Sequence, residues 1–303
     1  MSFQLTILGS SSATPTSQRN PTAQYLTVHD RHFLIDCGEG TQMQLRKYKL
    51  KFTRINHIFI SHLHGDHYLG LQGLLSSLHL LGCTQDIHLY CPKPLKEIID
   101  LQLLHSDTHL KYTLKYHFLN TNEKELIFED DKVQVESIPL NHRIPCCGFV
   151  FKEKPGLLSI RKEMIEFHGI STKDILRIKK GEDHQTKDGK VIKNKVLTYP
   201  AESLRSYAFC SDTCYDERIL PYIKKVSLLY HEATFLKNLE KRALETFHST
   251  AEQAAVIAKK AQVDKLLIGH FSARYKDLKP LLDESKAVFK NTELACEGLV
   301  VEL

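Results

Sequence analysis

Residues 57–71 read HIFISHLHGDHYLGL, and six consecutive positions within them, 62 to 67, hold His62, His64, Asp66 and His67. Imidazoles and a carboxylate crowded so tightly repel protons and one another unless a cation sits among them. In an extended turn, side chains two residues apart point the same way, so His62 and His64 reach one ion together. Asp66 and His67 open the apolar helical run that follows (Tyr68, Leu69, Leu71, Leu74, Leu75) and face a second ion. Neither pair completes a site, because zinc takes about four ligands and a catalytic zinc keeps one position for water.

The missing ligands are sought where α/β sheets place functional groups, beyond the carboxyl ends of strands. Reading past each apolar run gives His142 after VQVESIPLN, Asp212 after YAFCS, His231 after VSLLY and His270 after KLLIG. A carboxylate bridges two ions, which imidazole does not, so Asp212 is the expected bridge. The two expected sets are His62, His64, His142 and Asp212, and Asp66, His67, Asp212 and His270. A pair of ions implies hydrolysis. With no thiolate in either set, zinc on N and O ligands fits best, although manganese or iron also accepts such donors. His79, His88, His105, His109, His117, His168 and His184 lack a strand-end context and read as structural or surface residues.

The elements that must hold these residues recur along the whole chain. Strand-like runs lie at 3–8, 22–28, 32–36, 55–60, 87–91, 133–138, 147–151, 206–210, 226–230, 265–268 and 298–302. Helical patterns lie at about 40–48, 68–81, 93–104, 216–224, 250–262 and 277–289. The sequence TAEQ at 250–253 fits a capping box between Thr250 and Gln253. Strands mixed with helices in both halves predict an α/β layered fold with the site between the halves.

Bulk composition narrows the class. The chain has 303 residues, 42% hydrophobic and 25% charged, ordinary for a globular protein, and no apolar run reaches the roughly 20 residues of a membrane span. The start, MSFQLTILGSSSATP, lacks a signal peptide's basic flank and apolar core. A cytoplasmic protein is expected, with no membrane partner. The eight cysteines are scattered without a CxxC pair, which reads as free thiols in a reducing compartment. The net charge of +5 is small, but its distribution is uneven. Residues 152–195 carry twelve Lys or Arg against seven Asp or Glu, so the remainder of the chain balances to zero. That segment has turn formers at Pro155, Gly156, Gly169, Gly181 and Gly189 and no sustained apolar face. It reads as an insertion into a single 1–303 domain, suited to a polyanion.

The constellation resembles the metallo-β-lactamase superfamily, which implies an αββα sandwich with its site at one edge. HxHxDH is silent about substrate. Further stretches, in order, are LGSSSATPTSQRNPTA (8–23), DCGEGTQMQL (36–45), SDT (211–213), HEATF (231–235), HST (248–250) and GHFSARY (269–275). Together with the insertion they resemble the ribonuclease Z family in its short form, endonucleases that trim the 3′ trailer from precursor tRNA. The likeness covers essentially the entire chain. It implies two zinc ions per subunit on the same seven positions, with Asp66 as general base and His248 as the residue that assists the leaving group. Glu232 is the expected orienting partner of His248, and His231 is a supporting residue, not a ligand.

The resemblance also implies that 152–195 is an arm gripping tRNA, and in a homodimer serving the substrate held by the other subunit. Its expected RNA contacts are Lys152, Lys154, Arg161, Lys162, Lys173, Arg177, Lys179 and Lys180, reading charge and shape. Arg274 and Tyr275 are expected near the cut, as are Arg19 and Asn20. Two other functions compete. A hydrolase of small phosphodiesters or other esters on the same fold has no need of the basic arm. A non-catalytic RNA-binding module has no need of a complete ligand set.

Overall fold

The computed structural model describes residues 2–186, 188–200 and 203–303; residue 187 of the basic insertion falls outside this range. Residues up to Lys152 together with those from Arg205 onward form one compact unit, and Glu153–Leu204 a second.

In the larger unit, alternation along the strands builds two sheets with distinct faces. The first sheet draws on β1 (Phe3–Gly9), β2 (Ala23–Val28), β3 (Arg31–Cys37), β4 (His57–Phe59), β5 (Ile87–Cys91) and β6 (Leu114–Phe118). The second begins with β7 (Glu125–Glu129), β8 (Val133–Pro139) and β9 (Cys147–Glu153). After a small hairpin in the insertion, β10 (His184–Gln185) and β11 (Val191–Ile192), it resumes with β12 (Ser206–Cys210), β13 (Leu228–Glu232), β14 (Lys265–Gly269) and β15 (Thr292–Leu294). The last strand, β16 (Val300–Glu302), returns to the first sheet beside β1. The spatial orders are β16-β1-β2-β3-β4-β5-β6 and β15-β14-β13-β12-β9-β8-β7.

Period-two patterning sends alternate side chains to opposite faces. Phe33 and Ile35 of β3, Phe149 and Phe151 of β9, and Tyr207 and Phe209 of β12 fill the space between the sheets. Leu34, Ile58 and Leu89 turn outward onto helices 71–80 and 94–105. Ala208, Leu229 and Ile268 turn outward onto helix 251–261. The result is the αββα sandwich. Each fully buried Leu or Phe stabilises it by about 1.5–3 kcal/mol, so the strands are a rigid platform for the turns at their ends. Among the described residues, no helix is long and apolar enough to cross a membrane.

At the amino end of β4 lies an aromatic stack. His57 stacks on His88 at 4.9 Å and tilts onto Phe128 at 4.5 Å. His88 Nδ1 lies 3.0 Å from His117 Nε2. Burial, reinforced by the two neighbouring imidazoles, holds the His57 pKa down at about 4.

The second unit contains helices Lys162–His168, Thr172–Lys179 and Asn194–Leu197 and the β10–β11 hairpin. Ile170, Ile178, Ile192 and Leu197 form its own apolar cluster, with Ile160, Met164, Ile165 and Ile175 packed against them. Its apolar residues are divided among short elements, and that dispersal hides the cluster from a search for one long apolar face.

Several elements differ from the sequence pattern. The expected helix at 68–81 is two helices, Gly65–Tyr68 and Leu71–Leu80, because the backbone at Gly70 crosses that at Gly38. A Cβ on Gly70 would stand 2.0 Å from the Gly38 carbonyl oxygen. Edge strands β6 and β7 escape the pattern search because both are half-exposed and carry charged or polar residues along their length. All eight cysteines are free, six of them buried, Cys83 half-buried and Cys296 exposed.

Candidate metal centre and active site

Turns at the carboxyl ends of β3, β4, β8, β12, β13 and β14 converge at one edge of the sandwich. The structure brings all seven expected ligands together there. His62 Nε2 and His142 Nε2 lie 3.1 and 3.0 Å from His64 Nδ1. Asp212 Oδ2 stands 3.5 Å from His62 Nε2 and 3.6 Å from His142 Nε2. The other oxygen of the same carboxylate, Oδ1, is 3.2 Å from His67 Nε2 and 3.1 Å from His270 Nε2. Asp66 Oδ2 lies 3.3 Å from each of those two nitrogens.

These spacings fit ions better than hydrogen bonds. Four ligand atoms about 2.0–2.1 Å from a central zinc are separated by roughly 3.3 Å, and both groups of spacings bracket that value. His67 Nε2 is buried and has no hydrogen-bond partner, although it is ringed by carboxylate oxygens. An orphaned polar atom in such a place costs about 1–3 kcal/mol, which a bound cation removes. Electrostatics point the same way. Burial alone would raise the Asp66 pKa, but the neighbouring His67 charge and a hydrogen bond from His270 outweigh it and hold the carboxyl well below the usual range. Conversely, burial pushes His67 down while Asp66, Asp212 and Asp36 drive it up, and the carboxylates prevail. The pocket demands positive charge.

The outer nitrogens of four histidines are anchored by groups able to accept a hydrogen bond. His67 Nδ1 meets Asp36 Oδ2 at 2.6 Å, and His142 Nδ1 meets the Phe247 carbonyl at 3.0 Å. His62 Nδ1 meets the Ser61 hydroxyl and His270 Nδ1 the Thr234 hydroxyl, each at 3.0 Å. Such anchors set the tautomer and aim the free lone pair inward. Asp36 also accepts from Ser61 N at 2.8 Å and from its hydroxyl at 2.9 Å. Asp36, at a bulge within β3, and His270, just past β14, both take left-handed backbone conformations, φ 52° and 57°. Asp36, Ser61 and Thr234 escape a search for ligands. The rule that finds His142, a polar residue at a strand's carboxyl end, would have found Asp36.

Beside the metal cluster, His248 Nδ1 lies 2.8 Å from Glu232 Oε1. Glu232 is fully buried and also accepts from Thr213 N at 2.8 Å and the Thr234 hydroxyl at 2.6 Å. Burial opposes protonation of His248, but the Glu232 charge and hydrogen bond overcome it and raise the pKa to about 9. His248 precedes helix 251–261, whose capping box has Gln253 N donating to Thr250 Oγ1 at 3.2 Å and Thr250 N to Gln253 Oε1 at 2.9 Å. His231 is buried with its Nδ1 on the Glu232 carbonyl and is absent from the donor clusters.

The early loop forms one wall of a cavity of about 480 Å³ that opens onto these residues. Ala13 N donates to Asp66 Oδ2 at 2.8 Å. Glu297 ties the ends of the loop together, accepting from Ser10 N at 3.2 Å and Asn20 N at 2.9 Å. Arg19 is buried, donating to the Tyr275 and Ser272 carbonyls, which assigns it to loop architecture. Arg274 is exposed, with its guanidinium over the Phe235 ring at 5.0 Å.

The expected arm contacts are unequal. Lys152 lies on β9, paired with Glu136 at 2.7 Å. Arg161 donates to the Thr198 carbonyl at 3.2 Å, and Arg177 pairs with Glu182 at 2.8 Å. Lys162, Lys173 and Lys180 are exposed, while Lys154 and Lys179 are half-buried.

Residues 3–160 match the model of the family described as Anti-Pycsar protein Apyc1, a stretch that holds HxHxDH and His142 and stops before Asp212, Glu232, His248 and His270. Other relatives span the whole. A protein of Bacteroides fragilis named Ribonuclease Z is 48% identical over 99% of both chains. One of that name from Cytophaga hutchinsonii is 49% identical, over 98% of this chain and 95% of its own. Among solved structures, the short form of human tRNase Z aligns with a TM-score of 0.71 at 26% identity, covering 98% of each chain. The metallo-β-lactamase fold protein YhfI of Bacillus subtilis shares the fold at a TM-score of 0.69 and 16% identity, covering 99% of each chain. With likeness to Ribonuclease Z running through both ligand-bearing halves, the chain belongs to the ribonuclease Z family of metallo-β-lactamase-fold hydrolases.

Proposed function

We propose that the chain is a zinc-dependent endoribonuclease that removes the 3′ trailer from precursor tRNA. It cuts after the discriminator nucleotide, leaving a 3′-hydroxyl on the tRNA and a 5′-phosphate on the trailer. The observation that carries the proposal is one carboxylate, Asp212, facing two donor clusters with its two oxygens beside the Glu232–His248 pair.

His62, His64, His142 and Asp212 would hold one zinc, and Asp66, His67, Asp212 and His270 the other. When bound, the two ions supply Lewis acidity toward a phosphoryl oxygen and a water activated at neutral pH. The chain supplies the rest. Asp66 stays ionised, and with Oδ2 fixed by Ala13 N it orients the attacking water. Glu232 holds His248 by Nδ1 and keeps it protonated at neutral pH. The second nitrogen, Nε2, is thereby the atom that gives a proton to the departing 3′ oxygen. The cationic surplus of 152–195 grips the tRNA body through its phosphates, in a homodimer, in the cytoplasm.

Incubating the zinc-loaded protein with a trailer-bearing pre-tRNA and mapping the cut to one nucleotide tests this reading. A cut after the discriminator is expected, and a cut elsewhere or intact RNA refutes it. A second reading, hydrolysis of small phosphodiesters, rests on the donor clusters alone, which do not select a substrate. Deleting 153–204 separates the two: pre-tRNA cleavage is lost while a small chromogenic phosphodiester is still hydrolysed. If the undeleted protein hydrolyses the small ester and leaves pre-tRNA intact, the second reading holds.

A further inference from the structure

The cavity over the donor atoms has Glu39 and Glu245 in its lining, and among the described residues Arg143 is the one Lys or Arg that lines it. Arg143 is exposed. Its guanidinium makes one hydrogen bond among the described residues, Nη2 to His64 Nε2 at 2.9 Å. For a substrate made of phosphodiesters, a lone cation at an acidic mouth is conspicuous.

Its present contact is mismatched to the rest of the cluster. His62, His67, His142 and His270 each offer the outer nitrogen to a group able to accept, whereas His64 alone faces an obligate donor. His64 turns Nδ1 toward His62 and His142. Ligation through Nδ1 leaves the single ring proton on Nε2. That N–H would then oppose the Arg143 N–H at hydrogen-bond distance, which no arrangement of protons relieves, because a guanidinium only donates. Metal on His64 and Arg143 on His64 therefore exclude each other. Among the described residues no carboxylate pairs with the guanidinium, which lines the mouth beside Glu39 and Glu245. It lies on the outer side of the His64 ring, away from the converging donor atoms where the cleaved group must sit.

We propose that Arg143 holds the backbone phosphate flanking the scissile one. The inference rests on the RNA-cleaving reading above. Planar bidentate contact to phosphate is the geometry a guanidinium favours.

The test is equilibrium binding, by fluorescence anisotropy, of a pre-tRNA carrying a methylphosphonate at the cleavage point. Arg143→Gln should bind it roughly tenfold to a hundredfold more weakly than wild type when both are zinc-loaded. Zinc content should be the same in both proteins. Hydrolysis of bis(p-nitrophenyl) phosphate, which has no flanking phosphate, should stay within about twofold. Arg143→Lys should recover part of the lost affinity. Equal zinc-loaded binding, a fall in zinc content, an equal loss on the small ester, or a Lys variant no better than Gln each overturns the proposal. Failure of the RNA reading itself looks different, for zinc-loaded wild type would then neither bind nor cut the pre-tRNA.

Discussion

Asp36→Asn should uncouple zinc binding from folding. Asp36 is fully buried, with Oδ1 accepting from Ser61 N at 2.8 Å and Oδ2 accepting from the Ser61 hydroxyl at 2.9 Å and from His67 Nδ1 at 2.6 Å. An amide keeps one oxygen. The Ser61 hydroxyl can rotate but the backbone N–H cannot, so the amide oxygen stays on Ser61 N and the NH₂ faces His67. His67 must then accept at Nδ1, which moves its proton to Nε2, the atom that points at Asp66 and Asp212. Loss of such an orienting partner costs about tenfold to a hundredfold in metal affinity, or roughly 1.4–2.8 kcal/mol. Only the Ser61 hydroxyl gives up its acceptor, so the metal-free protein should lose about 1–3 kcal/mol in denaturant unfolding. Asp36→Ala, by contrast, strands Ser61 N–H and His67 Nδ1–H, at about 1–3 kcal/mol each. Zinc competition against a chromogenic chelator should show one tight ion retained and the other weakened in Asp36→Asn. Two ions held at wild-type affinity, or unfolding as easy as in the alanine variant, would refute the tautomer argument.

Glu232→Gln removes the charge that keeps His248 protonated, so single-turnover cleavage of pre-tRNA should slow by about 10²-fold or more, with zinc content unchanged; an unaltered rate assigns the proton to another group. Glu297→Ala frees both ends of the 10–20 loop, and KM for pre-tRNA should rise severalfold while the melting temperature drops little; a change confined to stability would contradict the positioning role. His57 titrates near 4 when folded and near 6.5 when unfolded. Its stabilising effect is therefore complete above about pH 6.5 and drains as pH falls toward 4, at up to about 1.4 kcal/mol per pH unit. Over that range His57→Phe should unfold with a stability slope flatter by one proton in metal-free protein, and parallel slopes would count against it.

The strand ends carried most of the site into view. HxHxDH is conspicuous because four metal-binding side chains share one turn, and His142, Asp212 and His270 each follow an apolar run that ends abruptly. Asp36 looked like an ordinary turn aspartate in LIDCGEG, since the partner that explains it, His67, is 31 residues away. Glu297 is further removed still, holding Ser10 from 287 residues along the chain. No local pattern encodes such a pairing. Arg143 was passed over because a lone arginine has no spacing to read, and its meaning comes only from what surrounds it. The edge strands β6 and β7 were lost for a different reason: a strand with one open edge and mixed faces resembles a loop in composition.

The pairing of β1 with β16 has a temporal consequence. The ribosome delivers the HxHxDH turn early, but Asp212 and His270 come much later, as does β16, the strand that pairs with β1. A chain halted after β9 holds His62, His64 and His142 but lacks Asp212, Glu232, His248 and His270. The donor set therefore stays incomplete until β12, β13 and β14 have taken their places in the second sheet.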